Sequence, residues 1–190
     1  MRGQEHVCRK LVIVTAPASS SPPGLPDILQ PGLRLVFVGY NPSLAASKVG
    51  HYYAGKQNFF YRVLHLSGLT PRLFSFEEDL LLPDYGIGMT DLCPLPTAQV
   101  SHLPAGALRA GRSVLREKLE RYQPATVCFN GFGVYQTLFG KRIETFGPQP
   151  DRIGESQVFV VPSTSPANNG LMHQREEAFI ALAAFVGVRK

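Results

Sequence analysis

The chain has 190 residues, 44% of them apolar, which is the size and composition of one compact domain that folds without a disulfide or metal staple. Lys and Arg number 19 against 14 Asp and Glu, a surplus that suits an anionic partner but does not specify one. Three scattered cysteines, Cys8, Cys93 and Cys128, exclude a four-cysteine zinc or iron–sulfur centre. Cys93 and Cys128 sit in apolar surroundings and are expected in the core.

Residues 1–30 carry the breaker run Ser19-Ser20-Ser21-Pro22-Pro23-Gly24 and are expected to form a poorly ordered arm ahead of a single domain over 31–190. Regular structure is expected to begin with the apolar run 33–38, bounded by Gly39, which has the pattern of a buried parallel strand. Apolar residues Phe59, Phe60, Val63, Leu64 and Leu66 predict a helix stopping at Gly68. A weaker strand is read at 86–90. Leu108, Gly111, Leu115, Leu119 and Tyr122 share one face of a helix that Pro124 closes. Strands are predicted at 126–129 and 157–161, and a last helix at about 174–186. Strands alternating with helices predict an α/β fold of three layers, with a short, mostly parallel central sheet flanked by helices.

No apolar run approaches the ~20 residues of a membrane span, and residues 11–14 are too short for a signal-peptide core. The expectation is a cytoplasmic chain, nucleoid-associated in a bacterium, with no membrane contact. His51, His65, His102 and His173 lack metal-ligand spacing, so neither a metal nor a cofactor is expected.

In such folds ligands bind beyond the carboxyl ends of the strands, and two loops there stand out. After the first strand come Gly39-Tyr40-Asn41-Pro42-Ser43. Pro42 keeps Asn41 extended, and the Asn41 amide both donates and accepts hydrogen bonds. The plainer alternative is an Asn-Pro turn. After the last strand come Pro162, Ser163, Thr164, Ser165, Pro166, Ala167, Asn168 and Asn169. Small residues with hydroxyls and amides suit close approach to a phosphate backbone, and equally suit a connector that caps the next helix.

Together these segments resemble the mismatch-specific uracil-DNA and thymine-DNA glycosylases of the uracil-DNA glycosylase superfamily. Residues 39–43 are similar to the family's first motif, Gly-x-Asn-Pro-Gly, and 161–166 to its second. Between them, Gly50-His51-Tyr52-Tyr53-Ala54, Asn58-Phe59-Phe60-Tyr61, Gly88-Met89-Thr90-Asp91 with Pro96-Thr97, and Leu108-Arg109-Ala110-Gly111 match in order. The resemblance spans about residues 33–186. It implies a uracil-DNA-glycosylase-like fold and a monomeric, monofunctional enzyme that hydrolyses the N-glycosidic bond of uracil in DNA.

The resemblance also implies roles. Asn41 would place the attacking water, and Tyr53 would stack on the flipped-out base, although core packing beside Tyr52 is the competing account of Tyr53. Backbone groups of Gly39 and Tyr40 beside Pro42, and the side chains of Ser43 and Asn58, are candidates to read the uracil edge. An amide cannot accept a proton, which draws attention to Asp91, where the family carries Lys or Asn. A carboxylate there could act as general base and offset charge on the sugar, or it could simply cap the turn that follows or pair with an Arg. The loop 163–169 would face DNA. Where the family has a Leu or Arg wedge, Ala167, Asn168 and Asn169 offer little apolar bulk, so G·U mismatches and other uracil contexts, single strands included, are the expected substrates. Lys48, Lys56, Arg62, Arg175, Lys141 and Arg142 are candidate phosphate contacts. A nucleoside N-hydrolase and a nucleic-acid-binding module without catalysis remain the alternative functions.

Overall fold

The computed structural model describes residues 24–55, 57–166 and 172–188. Lys56, Ala167, Asn168, Asn169 and most of the N-terminal arm lie outside the described residues.

Five strands form one sheet in the order β2-β1-β3-β5-β4. They are β1 (Leu35–Gly39), β2 (Ile87–Asp91), β3 (Thr126–Asn130), β4 (Gly147–Ile153) and β5 (Ser156–Val161). The first four in that order are parallel, and β4 joins β5 antiparallel at the edge. β1 and β3 are buried along their whole length, as strands covered on both faces must be. Two apolar clusters lie on opposite faces of the sheet. One gathers Leu35, Phe37, Met89 and Phe159 with residues of α2 (Phe60–Leu66) and α5 (Met172–Phe185). The other gathers Val36, Val38, Phe129 and Val160 with residues of α3 (Ala107–Tyr122) and α4 (Phe132–Phe139). The alternation along each strand thus feeds both layers, and the expected three-layer α/β architecture is what the chain adopts. Cys93 and Cys128 are buried in it.

Several elements escaped the sequence pattern. A six-residue helix, α1 (Leu44–Val49), follows the first loop. A 3-10 helix, Phe76–Tyr85, starts with a capping box at Ser75 and Glu78 and tolerates Pro83 inside. β4 reads GPQPDRI, and its two prolines conceal it; an edge strand tolerates them because one side needs no partner. Residues 24–30, assigned by sequence to the arm, run beside β2. Ile28 is 7% exposed and forms an antiparallel bridge with Met89.

Candidate active site

β1 and β2 end side by side, Gly39 opposite Asp91, and the ladder continues past both strands as Leu92 N–H donates to Gly39 and Cys93 N–H to Tyr40. The first loop is therefore held at the carboxyl edge of the sheet. There Asn41 is fixed by its own amide: Nδ2 donates to the Leu95 carbonyl and to Thr97 Oγ1, both at 2.8 Å, with a longer contact of 3.2 Å to the Pro42 carbonyl. The donors are spent on the protein, and Oδ1 accepts no hydrogen bond from the described residues. A fixed amide with a free acceptor can orient a water by taking one of its protons in a hydrogen bond.

Asp91 ends β2 half-buried. It neither caps the next turn nor pairs with an arginine, since among the described residues its carboxylate makes no hydrogen bond or ion pair. Burial pushes its pKa up from 3.8 to about 7, with the nearby charge of Asp27 adding to the rise and Lys118 opposing it. A carboxyl group desolvated in this way holds its proton to near neutrality. Tyr53 approaches the same place. A methyl group on Gly39 would lie 2.4 Å from Asp91 Oδ1 and 3.6 Å from Tyr53 Oη, so both groups converge on the bare α-carbon of Gly39. Tyr53 has a left-handed backbone, φ 53°, an uncommon conformation for a residue with a side chain. Its ring stacks on Phe60 with centroids 3.9 Å apart, and among the described residues its buried hydroxyl has no hydrogen-bond partner. The turn carrying it is tied down by Asp79, which accepts from His51 Nδ1 (3.0 Å) and Tyr52 N–H (2.9 Å).

The second loop is clamped from three sides. Asn130, last residue of β3, donates from Nδ2 to Thr164 Oγ1 and accepts the Thr164 N–H at Oδ1, both at 3.0 Å. Phe59 N–H donates to the Thr164 carbonyl (3.2 Å). Arg175, fully buried on α5, donates from Nε to the Ser163 carbonyl (2.7 Å) and from Nη2 to the Ser165 carbonyl (3.1 Å). Asn58 Oδ1 accepts the first amide of α2, Phe60 N–H, at 3.0 Å, which leaves its amide N–H groups for a ligand. Ser43 Oγ caps α1 by accepting the Ala46 N–H, and the Tyr40 hydroxyl lies 3.2 Å from Thr137 Oγ1.

These pieces surround one cleft of about 620 Å³. Gly39, Tyr40, Asn41, Pro42, Ser43, Tyr53, Asn58, Asp91, Ser163, Thr164 and Ser165 all line it, so residues far apart in sequence meet as expected from their strand ends. Pro166 follows the loop outside this lining.

Residues 26–185 match the family model of the uracil DNA glycosylase superfamily. The chain belongs to that superfamily. The fold is similar to the solution NMR structure of a protein from Methanosarcina acetivorans described as a "putative Uracil DNA glycosylase", with a TM-score of 0.58 and 19% identity over 87% of this chain and 98% of that one.

Within this superfamily member several cleft residues carried no sequence signal. Asn130 closes β3 one residue past the strand predicted at 126–129. Phe132, Phe146, Leu25 and residues 98–100 also line the cleft but come from segments with no motif. One expectation is corrected. Arg175 was a candidate phosphate contact, but it is 0% exposed and its guanidinium serves the loop carbonyls, so it anchors the loop from behind. Lys48, Arg62, Lys141 and Arg142 are on the surface, and Lys141 pairs with Asp151 at 2.7 Å. Among the described residues no group of three or more His, Cys, Asp or Glu could hold a metal ion.

Proposed function

We propose that this chain is a monofunctional uracil-DNA glycosylase of the mismatch-specific type, which removes uracil opposite guanine and also uracil in other contexts, single-stranded DNA included. The observation that carries the reading is the meeting of Asn41 and Asp91 in one cleft that Tyr53 and Asn58 also line.

The uracil would be flipped from the stack into the cleft, where the free ring face of Tyr53 offers a stacking surface and the Asn58 amide a donor for a carbonyl. As the C1′–N1 bond breaks, its electron pair stays on the base and positive charge gathers on the sugar. Asn41 Oδ1 holds the water, Asp91 takes its proton as the new C1′–O bond forms, and the same carboxylate faces the developing sugar charge. A base with a pKa of about 7 is half ionised at neutral pH and still strong enough to accept a proton. None of the described residues lining the cleft is a lysine, which favours direct hydrolysis over a Schiff-base intermediate and strand cleavage.

Broad context follows from the small residues Ala167, Asn168 and Asn169, which give little apolar bulk to drive a base out of a stable stack. The test is incubation with uracil-containing oligonucleotides followed by alkali, with free deoxyuridine in parallel. Alkali-labile sites at uracil, opposite guanine and in single strands, with deoxyuridine untouched, are expected. Hydrolysis of deoxyuridine alone would identify a nucleoside hydrolase, retention of DNA without cleavage would identify a binding module, and cleavage restricted to G·U would remove the broad-context part.

A further inference from the structure

The cleft holds a second pair of stacked rings that uracil recognition leaves unused. Phe132 opens α4 just after β3, and Phe146 precedes β4 where Gly147 pairs with Val160 near the end of β5. Both therefore stand at the carboxyl edge of the parallel strands. Their rings are 5° from parallel with centroids 4.0 Å apart, both are partly exposed, and both line the cleft. Among the described residues neither ring has another aromatic neighbour. Tyr40 of the first loop joins them in the lining, its ring lying against the bare α-carbon of Gly133.

The stack proposed to receive uracil is built the same way, with Tyr53 backed by Phe60. The two stacks belong to different layers. Tyr53 packs against the apolar cluster on one face of the sheet, whereas Phe132, Phe146 and Tyr40 pack against the cluster on the other. One cleft thus spans the sheet edge and receives a pair of stacked rings from each layer. Its volume of about 620 Å³ falls within the roughly 300–1,000 Å³ that houses a drug-sized ligand, and a single pyrimidine is far smaller. Asp91 is the only charged side chain among the described residues that line it, so the remaining space suits a flat neutral ring and offers no cation to a phosphate.

We propose that the Phe132–Phe146 stack is a binding subsite for the nucleobase next to the uracil in single-stranded DNA. The inference rests on the reading of the cleft as a uracil-DNA site. The strand itself delivers this second base, because seating the uracil holds its neighbour at high local concentration. In a duplex that neighbour stays paired and stacked, whereas in a single strand it is free to turn onto a protein ring. Stacking of this kind tolerates any sequence, since every base has a π-face.

The test is uracil release by the full chain from single-stranded oligonucleotides in which the nucleotide before or after the uracil is replaced by an abasic spacer. For the parent, kcat/KM should fall about tenfold with the spacer on one side and little on the other. Phe146→Leu, which removes the ring and keeps apolar bulk, should lose about tenfold on the intact strand and then be indifferent to that spacer. Phe146→Tyr should restore both the rate and the spacer dependence. A merely structural role would lower the rate on intact and spacer strands by the same factor, and that result would overturn the proposal. A parent indifferent to the spacer on both sides would overturn it too, while its uracil release left the glycosylase reading standing. No release from any strand would remove that reading, and the proposal with it. Should Phe146→Leu fail to fold, the parent decides with 2-aminopurine as the neighbouring base, beside a 2′-fluoro uracil nucleotide whose fluorine disfavours positive charge on the sugar and so resists cleavage. Quenched fluorescence on the spacer-sensitive side supports the subsite, and unchanged fluorescence overturns it.

Discussion

Gly39 faces Asp91 across the parallel register of β1 and β2, so closely that a methyl group on Gly39 would sit 2.4 Å from Asp91 Oδ1. The carboxylate occupies the space that any other residue at 39 would fill. Gly39→Ala should therefore act on Asp91. The contact is with the free end of a side chain, which can rotate away, so the fold should survive with a thermal midpoint within a few degrees of the parent. Uracil release should fall by about tenfold or more, because a displaced base no longer meets the water. Single-turnover assays with a melting curve on the same sample check both halves.

Asp91 also links activity to stability. Its folded pKa is raised from 3.8 to about 7, so the folded state binds its proton more tightly than the unfolded chain does. Stability from this group is complete below the unfolded value and is lost as pH rises from there through about 7. Asp91→Asn, which cannot ionise, should match the parent at pH 4 and exceed it at pH 8 by at most roughly 4 kcal/mol. Uracil release should fall at least tenfold. Denaturant melts at the two pH values are the measurement, and equal stability gains at both would show that ionisation is not the cause.

The strand ends were legible because buried parallel strands announce themselves as short apolar runs. The residues just beyond 38, 90 and 161 could thus be picked out before any contact was known. Asn130 was hidden by the same rule, being a polar residue at the end of an apolar strand whose partner, Thr164, lies 34 positions away. Edge strand β4 was hidden by Pro148 and Pro150, which local propensity counts against a strand and sheet topology permits at an edge. Arg175 was misjudged because charge alone suggests surface. Its burial follows from two carbonyls, Ser163 and Ser165, that only the folded loop presents.

Thr97 is expected to act through Asn41. Its Oγ1 accepts from Asn41 Nδ2 and donates to the Gln99 carbonyl, each at 2.8 Å, so the amide is held by a hydroxyl that is itself held. Thr97→Val keeps the shape and removes the acceptor. Asn41 retains the Leu95 carbonyl but loses one restraint, and its oxygen should wander from the water. The expected result is a three- to tenfold fall in kcat with KM unchanged, since the base-binding wall is untouched. Thr97→Ser should restore most of the rate. An equal rise in KM would show that the 97–100 segment binds substrate instead.

Arg175 supports the second loop with a forked guanidinium that reaches two carbonyls, while its Cζ lies 5.2 Å from the Phe59 ring centre. Arg175→Lys retains the charge but offers a single donating centre, which cannot span Ser163 and Ser165 as the fork does. One carbonyl is left buried without its partner, and the ammonium is buried at greater cost than the delocalised cation. The variant should lose on the order of 3 kcal/mol, roughly 5–10 °C in thermal midpoint for a chain of this size. Asn130 still holds Thr164, so the loop should loosen at its ends before its middle. Affinity for an abasic-site duplex should fall about tenfold, more than the uracil-release rate measured at saturating DNA. If binding and midpoint were both unchanged, the loop would be held by Asn130 and Phe59 alone and Arg175 would be dispensable.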